Sequence, residues 1–193
     1  AFSIAGARRG FEDTRGTLFF EIARFASIIK PKYLFLENVK GLLNHDKGNT
    51  FETILSALDE LGYDVEWQVL NSKNFGVPQN RERVFIIGHL RGQRSGEVFP
   101  FGSNGTKVDI QNEQSTNTLT ARYAAAQSNG SYIIESEQKA IRKLTPRECW
   151  RLQGFPDWAF DKAQKVNSNS QLYKQAGNSV TVNVIEAIAM ELK

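Results

Sequence analysis

The spacing of apolar residues over the first ninety positions predicts an alternation of helices and strands. One helical stripe begins at Asp13 or Thr14 and ends before Pro31, and its apolar members lie three and four residues apart: Leu18, Ile22, Phe25, Ala26 and Ile29. A second helix is predicted from an N-cap at Asn49 to a stop at Gly62, with an apolar stripe of Phe51, Ile54, Leu55, Leu58 and Leu61. Short apolar runs predict strands at 33–38, 65–70 and 84–90. The order strand, helix, strand, strand favours an α/β layered sheet.

The pattern changes after Arg91, where the chain is rich in Gly, Ser and Asn as far as Gly105. Two short β-type runs follow at 115–120 and 132–134, separated by a polar turn at 127–130. Helical signals return at 145–148 (TPRE), which combines a capping box with proline at the first helical position. A last apolar stripe predicts a final helix from about Ser179, formed by Val180, Val184, Ile185, Ile188 and Leu192. The chain therefore divides into three parts: 1–90, 91–141 and 142–193.

Composition narrows the class of protein only a little. With 193 residues, of which 40% are hydrophobic, the chain can bury a substantial core. It has no apolar stretch long enough to span a membrane and no export signal at its start, so an intracellular, cytoplasmic protein is expected. A formal charge of +3 is compatible with a polyanionic partner. One cysteine and two histidines leave no disulfide framework and no metal-ligand spacing, so no metal site is expected.

Candidate chemistry lies at the ends of two predicted strands. Glu37-Asn38-Val39 ends the first strand, and the segment 79–83 (QNRER) stands directly before the strand 84–90. Ligands of open α/β sheets bind outside the carboxyl ends of strands, so the carboxylate and the arginines can meet at one mouth of the sheet. A carboxyl group beside guanidinium donors suits a neutral polar heterocycle such as cytosine. An ordinary ion pair is the alternative.

The sequence segments that accompany this pair along the chain resemble one enzyme family. Six segments match DNA (cytosine-5)-methyltransferases in the family's order: 1–6 (AFSIAG), 10–20 (GFEDTRGTLFF), 37–39 (ENV), 79–83 (QNRER), 142–149 (RKLTPREC) and 175–180 (QAGNSV). The resemblance implies an α/β fold, the C-terminal part of a Rossmann-like, S-adenosylmethionine-dependent methyltransferase with a small, mostly β target-recognition lobe. It makes 1–90 the C-terminal half of the catalytic domain, 91–141 a reduced target-recognition region, and 142–193 the return to the catalytic domain.

The resemblance also implies catalytic roles. Glu37 would hydrogen-bond and protonate N3 of cytosine, and Arg83 would bind O2. Arg81 would brace the site or reach DNA phosphate, with a structural ion pair to Glu82 or another acid as the alternative. Asn38 would hold the turn rather than touch the base.

The family's nucleophile lies in a Pro-Cys-Gln tripeptide just before the residues matched by Ala1-Phe2-Ser3. The chain as given is therefore expected to lack the nucleophile and to be inactive alone. Cys149, the only thiol, is expected to be a buried hydrophobe rather than a substitute.

Cofactor and DNA contacts follow from the same resemblance. Leu18, Asn178 and Ser179 would approach S-adenosylmethionine, with Asn178 and Ser179 just before the last helix, where an ordinary helix cap is the alternative role. The residues that would contact DNA are Ser3, Arg15, Thr120 and Arg122.

The implied partners are double-stranded DNA and the missing N-terminal portion of the enzyme, in a prokaryotic or phage restriction-modification system. A noncatalytic DNA-binding or complementing subunit, and a transfer-RNA cytosine methyltransferase, are the alternatives.

Overall fold

The computed structural model describes residues 14–93, 96–99, 101, 132–135 and 140–192. The runs and turn predicted at 115–120 and 127–130 lie outside them. The chain forms two compact units. The first contains Ala1–Leu70, Glu82–Asn104 and Glu191–Lys193, and the second contains Asn71–Arg81 and Gly105–Met190. No helix in the described part of the chain is long and apolar enough to cross a membrane.

The first unit is built on a three-stranded sheet. Its elements are helix α1 (Thr14–Ile29), strand β1 (Tyr33–Val39), 3₁₀ turns over Lys40–Gly48, helix α2 (Asn49–Glu60), strand β2 (Tyr63–Asn71, whose last residue belongs to the second unit) and strand β3 (Glu82–Leu90). The strand order is β1-β3-β2, and β1 pairs antiparallel with β3 from Tyr33 opposite His89 to Val39 opposite Arg83. The predicted order strand, helix, strand, strand is confirmed.

Helix α1 packs on a different face from the stripe that the sequence suggested. Its buried residues are Phe19, Phe20, Ala23 and Ala26, which join the core of the first unit. Most of the predicted stripe is exposed, with Leu18 and Ile29 at 67% and Phe25 at 54%. The helix is apolar on two sides, so periodicity alone could not choose between them.

Helix α2 follows the prediction except at its first turn. Gly48, at φ +97°, is the N-cap, and Asn49 is the first helical residue instead. The chain enters the helix through left-handed backbone at Asp46 and Lys47, and glycine continues this conformation without strain. The helix ends before Gly62, which is at φ +89°, as predicted.

The described part of the second unit contains a β-hairpin, a short 3₁₀ helix (Ser72–Phe75) and four α-helices. The hairpin pairs β4 (Tyr132–Glu135) with β5 (Ala140–Lys143) in antiparallel register. The helices are α3 (Pro146–Leu152), α4 (Asp157–Ala163), α5 (Asn169–Asn178) and α6 (Val182–Glu191). The predicted capping box is confirmed, because Thr145 accepts from the Glu148 amide while Glu148 accepts from the Thr145 amide.

The last helix begins later than predicted. It starts at Val182, whereas Gly177 and Asn178 are the last residues of α5 and Ser179 is its C-cap. Ser179 leaves the helix in extended conformation, at φ −74° and ψ 163°, while its amide still donates to the Gln175 carbonyl. Few apolar residues mark α5, so periodicity gave little warning of this helix.

Candidate functional site

Strand pairing brings Glu37 and Arg83 together in the first unit. Val39 lies opposite Arg83 and Glu37 opposite Phe85, so Glu37 and Arg83 are diagonal neighbours across the ladder. Arg83 Nε lies 3.0 Å from Glu37 Oε1, with the side chains 16% and 28% exposed. An antiparallel strand begins where its partner ends, and for this reason an arginine at the start of β3 meets the carboxylate at the end of β1.

Both side chains retain capacity for a ligand. Arg83 donates a second time, from Nη1 to the Glu82 carbonyl at 2.8 Å. Within the described part of the chain, Arg83 is the side chain that pairs with Glu37, and the carboxylate keeps an oxygen for another partner. A half-buried carboxylate and a fork of N–H donors, fixed relative to each other, can read one edge of a heterocycle.

A cavity of about 220 Å³ in the first unit reaches Glu37. Its wall is mostly apolar and is formed by Leu18, Phe19, Ile22, Phe35, Leu36, Glu37, Asn38, Leu42, Ile54 and Ile86. Leu18, a predicted cofactor residue, therefore shares a cavity with the predicted acid. Most of Leu18 is open to solvent, which leaves it available to a ligand.

Asn38 and Glu82 shape the end of β1. Asn38 is exposed, and its Oδ1 accepts from the Val39 amide at 2.8 Å. This contact matches the turn-holding role expected of Asn38. Glu82 pairs with Lys40, whose Nζ lies 3.0 Å from Glu82 Oε2.

Arg81 lies in the second unit and is only 3% exposed. Its Nη2 donates to the carbonyls of Gly177, at 3.2 Å, and Ser179, at 2.8 Å. Arg81 therefore stabilises the turn between α5 and α6 through two of its backbone carbonyls. Its burial does not suit a contact with DNA phosphate, which was one of the two roles predicted for it.

Further buried polar side chains hold the same turn, and sequence reasoning did not single them out. Ser72 Oγ lies 2.7 Å from Thr181 Oγ1, which in turn donates to Gln153 Oε1 at 3.0 Å. Gln153 Nε2 donates to the Ala176 carbonyl at 2.8 Å, and the Gln153 carbonyl accepts from the Val182 amide. These three side chains are no more than 3% exposed. Such a buried chain of hydrogen bonds fixes the backbone from Ala176 to Val182.

The turn leaves Asn178 exposed at its surface. Asn178 and Ser179 line a cavity of about 480 Å³ in the second unit, together with Trp150 and Phe155. The Ser179 hydroxyl donates to the Ala176 carbonyl at 2.8 Å, so its hydrogen serves the turn. Of these two predicted cofactor residues, Asn178 has the side chain that is more available to a ligand.

Cys149 is a core residue of the second unit. It is 1% exposed and packs with Leu144, Leu152 and Ala176. Burial, reinforced by the Glu148 carboxylate, raises the pKa of its thiol to about 12. A thiol that stays protonated is a poor nucleophile.

For the remaining predicted residues, those expected to contact DNA, no side-chain position is described. Ser3, Thr120 and Arg122 lie outside the described residues, and Arg15 lies in α1. Within the described ranges, no three His, Cys, Asp or Glu side chains come together as a metal site would require.

Solved structures define the class of this fold. The Entamoeba histolytica methyltransferase EhMeth matches with a TM-score of 0.65 at 22% identity, over 93% of this chain and 68% of that chain. The fold is that of part of an α/β methyltransferase, as the sequence predicted.

Sequence comparison identifies the family. The family model for C-5 cytosine-specific DNA methylases matches residues 1–121 and 102–193, and the chain belongs to this family. The type II methyltransferase M.SsoII of Shigella sonnei is 41% identical over 100% of this chain. M.NlaX of Neisseria lactamica is 39% identical, over 100% of this chain and 72% of its own length. The chain spans 61% of the length of M.SsoII.

The family model matches the chain in two pieces that meet in its middle. The two family matches overlap at 102–121, inside the region 91–141. The alignment with M.SsoII runs over 236 positions, more than the 193 residues of this chain. M.SsoII therefore carries residues that have no counterpart here.

Proposed function

We propose that this chain is the C-terminal part of an enzyme that methylates C5 of cytosine in double-stranded DNA, using S-adenosylmethionine, within a prokaryotic or phage restriction-modification system. The observation that carries the proposal is the Glu37–Arg83 pair at the end of β1, with the two side chains 3.0 Å apart and Glu37 lining a largely apolar cavity. Family membership supports the reaction, and DNA as substrate implies a cytoplasmic enzyme.

The chain's own residues bind the base and move a proton. A cytosine turned out of the duplex presents O2 and N3 on one edge. Arg83 donates to O2, and Glu37 hydrogen-bonds N3 and protonates it as electron density enters the ring. Protonated N3 accepts the charge that a thiolate brings when it adds to C6, so C5 becomes nucleophilic. By the family resemblance, that thiolate belongs to a cysteine upstream of Ala1. After C5 has received the methyl group, loss of the C5 proton, departure of the thiolate from C6 and return of the N3 proton to Glu37 restore the aromatic ring.

The residues present fit the proposed cofactor, each within its own unit. In the first unit, exposed Leu18 lines a largely apolar cavity that Glu37 also lines, which suits the uncharged part of a nucleoside. In the second unit, Asn178 offers an exposed amide beside Trp150 and Phe155. S-adenosylmethionine, when bound, supplies the methyl group that C5 receives.

Two further features support a missing N-terminal portion as partner. Strand β1 is an edge of the sheet in the described part of the chain, and an unpaired edge offers N–H and C=O groups to another strand. Helix α1 exposes Phe25, Ile28 and Ile29, which the N-terminal portion would cover. The region 91–141 would read the bases around the target as a compact lobe.

The second candidate is a noncatalytic complementing subunit, which the burial of Cys149, the single thiol of this sequence, would suit. The test uses the complete enzyme with labelled S-adenosylmethionine and equal amounts of duplex DNA and transfer RNA. We expect label in 5-methylcytosine of the DNA. Label in transfer RNA alone, or none in either, would overturn the proposal.

A further inference from the structure

The segment that follows β3 is held by side chains rather than by a strand ladder. Val98 and Phe99 lie in irregular backbone, yet the Val98 amide donates to Glu66 Oε1 and the Phe99 amide donates to Glu66 Oε2, each at 2.8 Å. Both carboxylate oxygens are therefore engaged by neighbouring backbone N–H groups. Hydrogen bonds of this kind, to a charged acceptor, are among the stronger ones in proteins.

Gln68 repeats the arrangement two residues along β2. Its Oε1 accepts from the Phe101 amide at 2.8 Å, and its Nε2 donates to the Phe101 carbonyl at 3.3 Å. The side-chain amide thus pairs with Phe101 as a peptide group of a neighbouring strand would. Residues two apart on a strand share a face, so Glu66 and Gln68 grip the segment from one side.

The first anchor is itself fixed from the neighbouring strand. His89 Nε2 on β3 lies 2.6 Å from Glu66 Oε1, and the imidazole meets the Tyr33 ring edge-on at 5.5 Å. The Glu66 side chain is 20% exposed and that of His89 11%. The carboxylate consequently has little freedom to change rotamer.

The residues held by Glu66 and Gln68 lie shortly after the chain leaves strand β3. Leu90 ends β3, Gly92 turns the chain at φ +81°, and the grip begins at Val98. The stretch of the first unit that contains β3 runs from Glu82 to Asn104, three residues beyond Phe101.

We propose that Glu66, Gln68 and His89 are positioning residues for target recognition. They hold the backbone at Val98, Phe99 and Phe101 and thereby fix the part of the target-recognition region that belongs to the first unit. The inference rests on the proposed function. Base-edge contacts specify a DNA sequence only when their donors and acceptors are well placed, and a loosened support displaces them together. The Glu37–Arg83 pair, on the other edge strand and its partner, does not depend on these anchors.

The test uses near-isosteric variants of the complete enzyme. Glu66→Gln replaces one acceptor oxygen by an NH2 group that faces a backbone N–H. Gln68→Glu replaces the donor to the Phe101 carbonyl by an oxygen, and it leaves the contacts of Glu66 in place should Glu66→Gln fold poorly. Glu52→Gln, an exposed glutamate of α2, is the matched control. Methylation mapping on a mixed-site DNA library first identifies the preferred site of the parent.

The main readout is the ratio of kcat/KM between the preferred site and sites with one changed base. We expect this ratio to fall about tenfold in the anchor variants, the size of effect that a lost base contact has. The single-turnover rate at saturating preferred DNA should stay within about twofold of the parent, because the chemistry is untouched. Hydrogen exchange at the amides of Val98, Phe99 and Phe101 should accelerate.

Two results would overturn the inference: an unchanged ratio despite faster exchange, or an equal loss of rate at preferred and altered sites, which marks a merely structural role. A parent enzyme that methylates no DNA would instead remove the proposed function, and with it the basis of this inference. The control variant distinguishes a specific effect from a general consequence of losing surface charge.

Discussion

Glu37 is the residue on which the proposed chemistry depends most directly. Its carboxyl group is asked to donate a proton to N3, and an amide of the same shape cannot do so. Arg83 beside it supplies orientation, since its guanidinium is anchored both to Glu37 and to the Glu82 carbonyl. The two side chains therefore divide proton transfer and positioning between them.

The substitution Glu37→Gln in the complete enzyme should lower the single-turnover rate by about 10²- to 10⁴-fold, the usual worth of general acid–base help. Affinity for DNA should change little, because the amide keeps the shape and can still bind the base. Rapid-quench methylation and a DNA-binding titration measure the two quantities, with Glu52→Gln again as the control. A rate within about threefold of the parent would remove Glu37 from the mechanism.

At the scale of elements, the turn between α5 and α6 is the feature that buried polar groups hold most firmly. Gln153 contacts this turn through its side-chain amide and through its backbone carbonyl. Both contacts link the C-terminal end of α3 to the backbone from Ala176 to Val182. Removing one partner leaves buried polar groups with fewer hydrogen bonds, and that is costly.

The change Gln153→Leu in the complete enzyme should destabilise it by about 1–3 kcal/mol, because the Ala176 carbonyl and Thr181 would each lose a partner. The KM for S-adenosylmethionine should rise more than kcat falls, since Asn178 stands on the turn. Thermal melting and initial-rate kinetics test both statements. Gln171→Leu, an exposed glutamine of α5, is the comparison, and an equal effect of the two changes would contradict the role given to Gln153.

At the scale of the whole molecule, the proposed function requires the chain to be one part of a catalytic domain. Its only cysteine is buried with a thiol pKa of about 12, so at pH 8 the thiol is protonated and unreactive. The chain as given should therefore transfer no methyl group to DNA by itself. Adding the N-terminal portion as a separate polypeptide should restore transfer, if that portion pairs with the edge of β1 and covers α1.

Labelled methyl transfer to DNA measures this, with the chain alone, with the added portion, and with Cys149→Ser in both settings. Restoration should survive Cys149→Ser and should weaken in Phe25→Gln with Ile29→Gln, which makes the exposed side of α1 polar. Met190→Gln, equally exposed apolar surface on α6, is the control for those changes. Transfer by the chain alone that vanishes in Cys149→Ser would make Cys149 the nucleophile.

The sequence by itself determined the features that depend on neighbours within a turn or two. The capping box at Thr145, the stop at Gly62 and the succession of elements around the sheet all follow from local hydrogen bonding and periodicity. The motif spacing also put a carboxylate and an arginine at one mouth of the sheet. Strand pairing at Glu37 and Arg83 realised that expectation.

Only the tertiary structure decided which of two apolar faces α1 buries, because both satisfy the helical period and only packing distinguishes them. It also separated Arg81 from Arg83, two residues apart in the chain, one buried under a turn and the other beside Glu37. The contacts responsible join distant positions, 98 residues apart for Arg81 and Ser179 and 109 for Ser72 and Thr181. A local pattern carries no record of such partners, and for this reason the burial of Arg81, the grip of Glu66 and the late start of α6 could be read only from the folded chain.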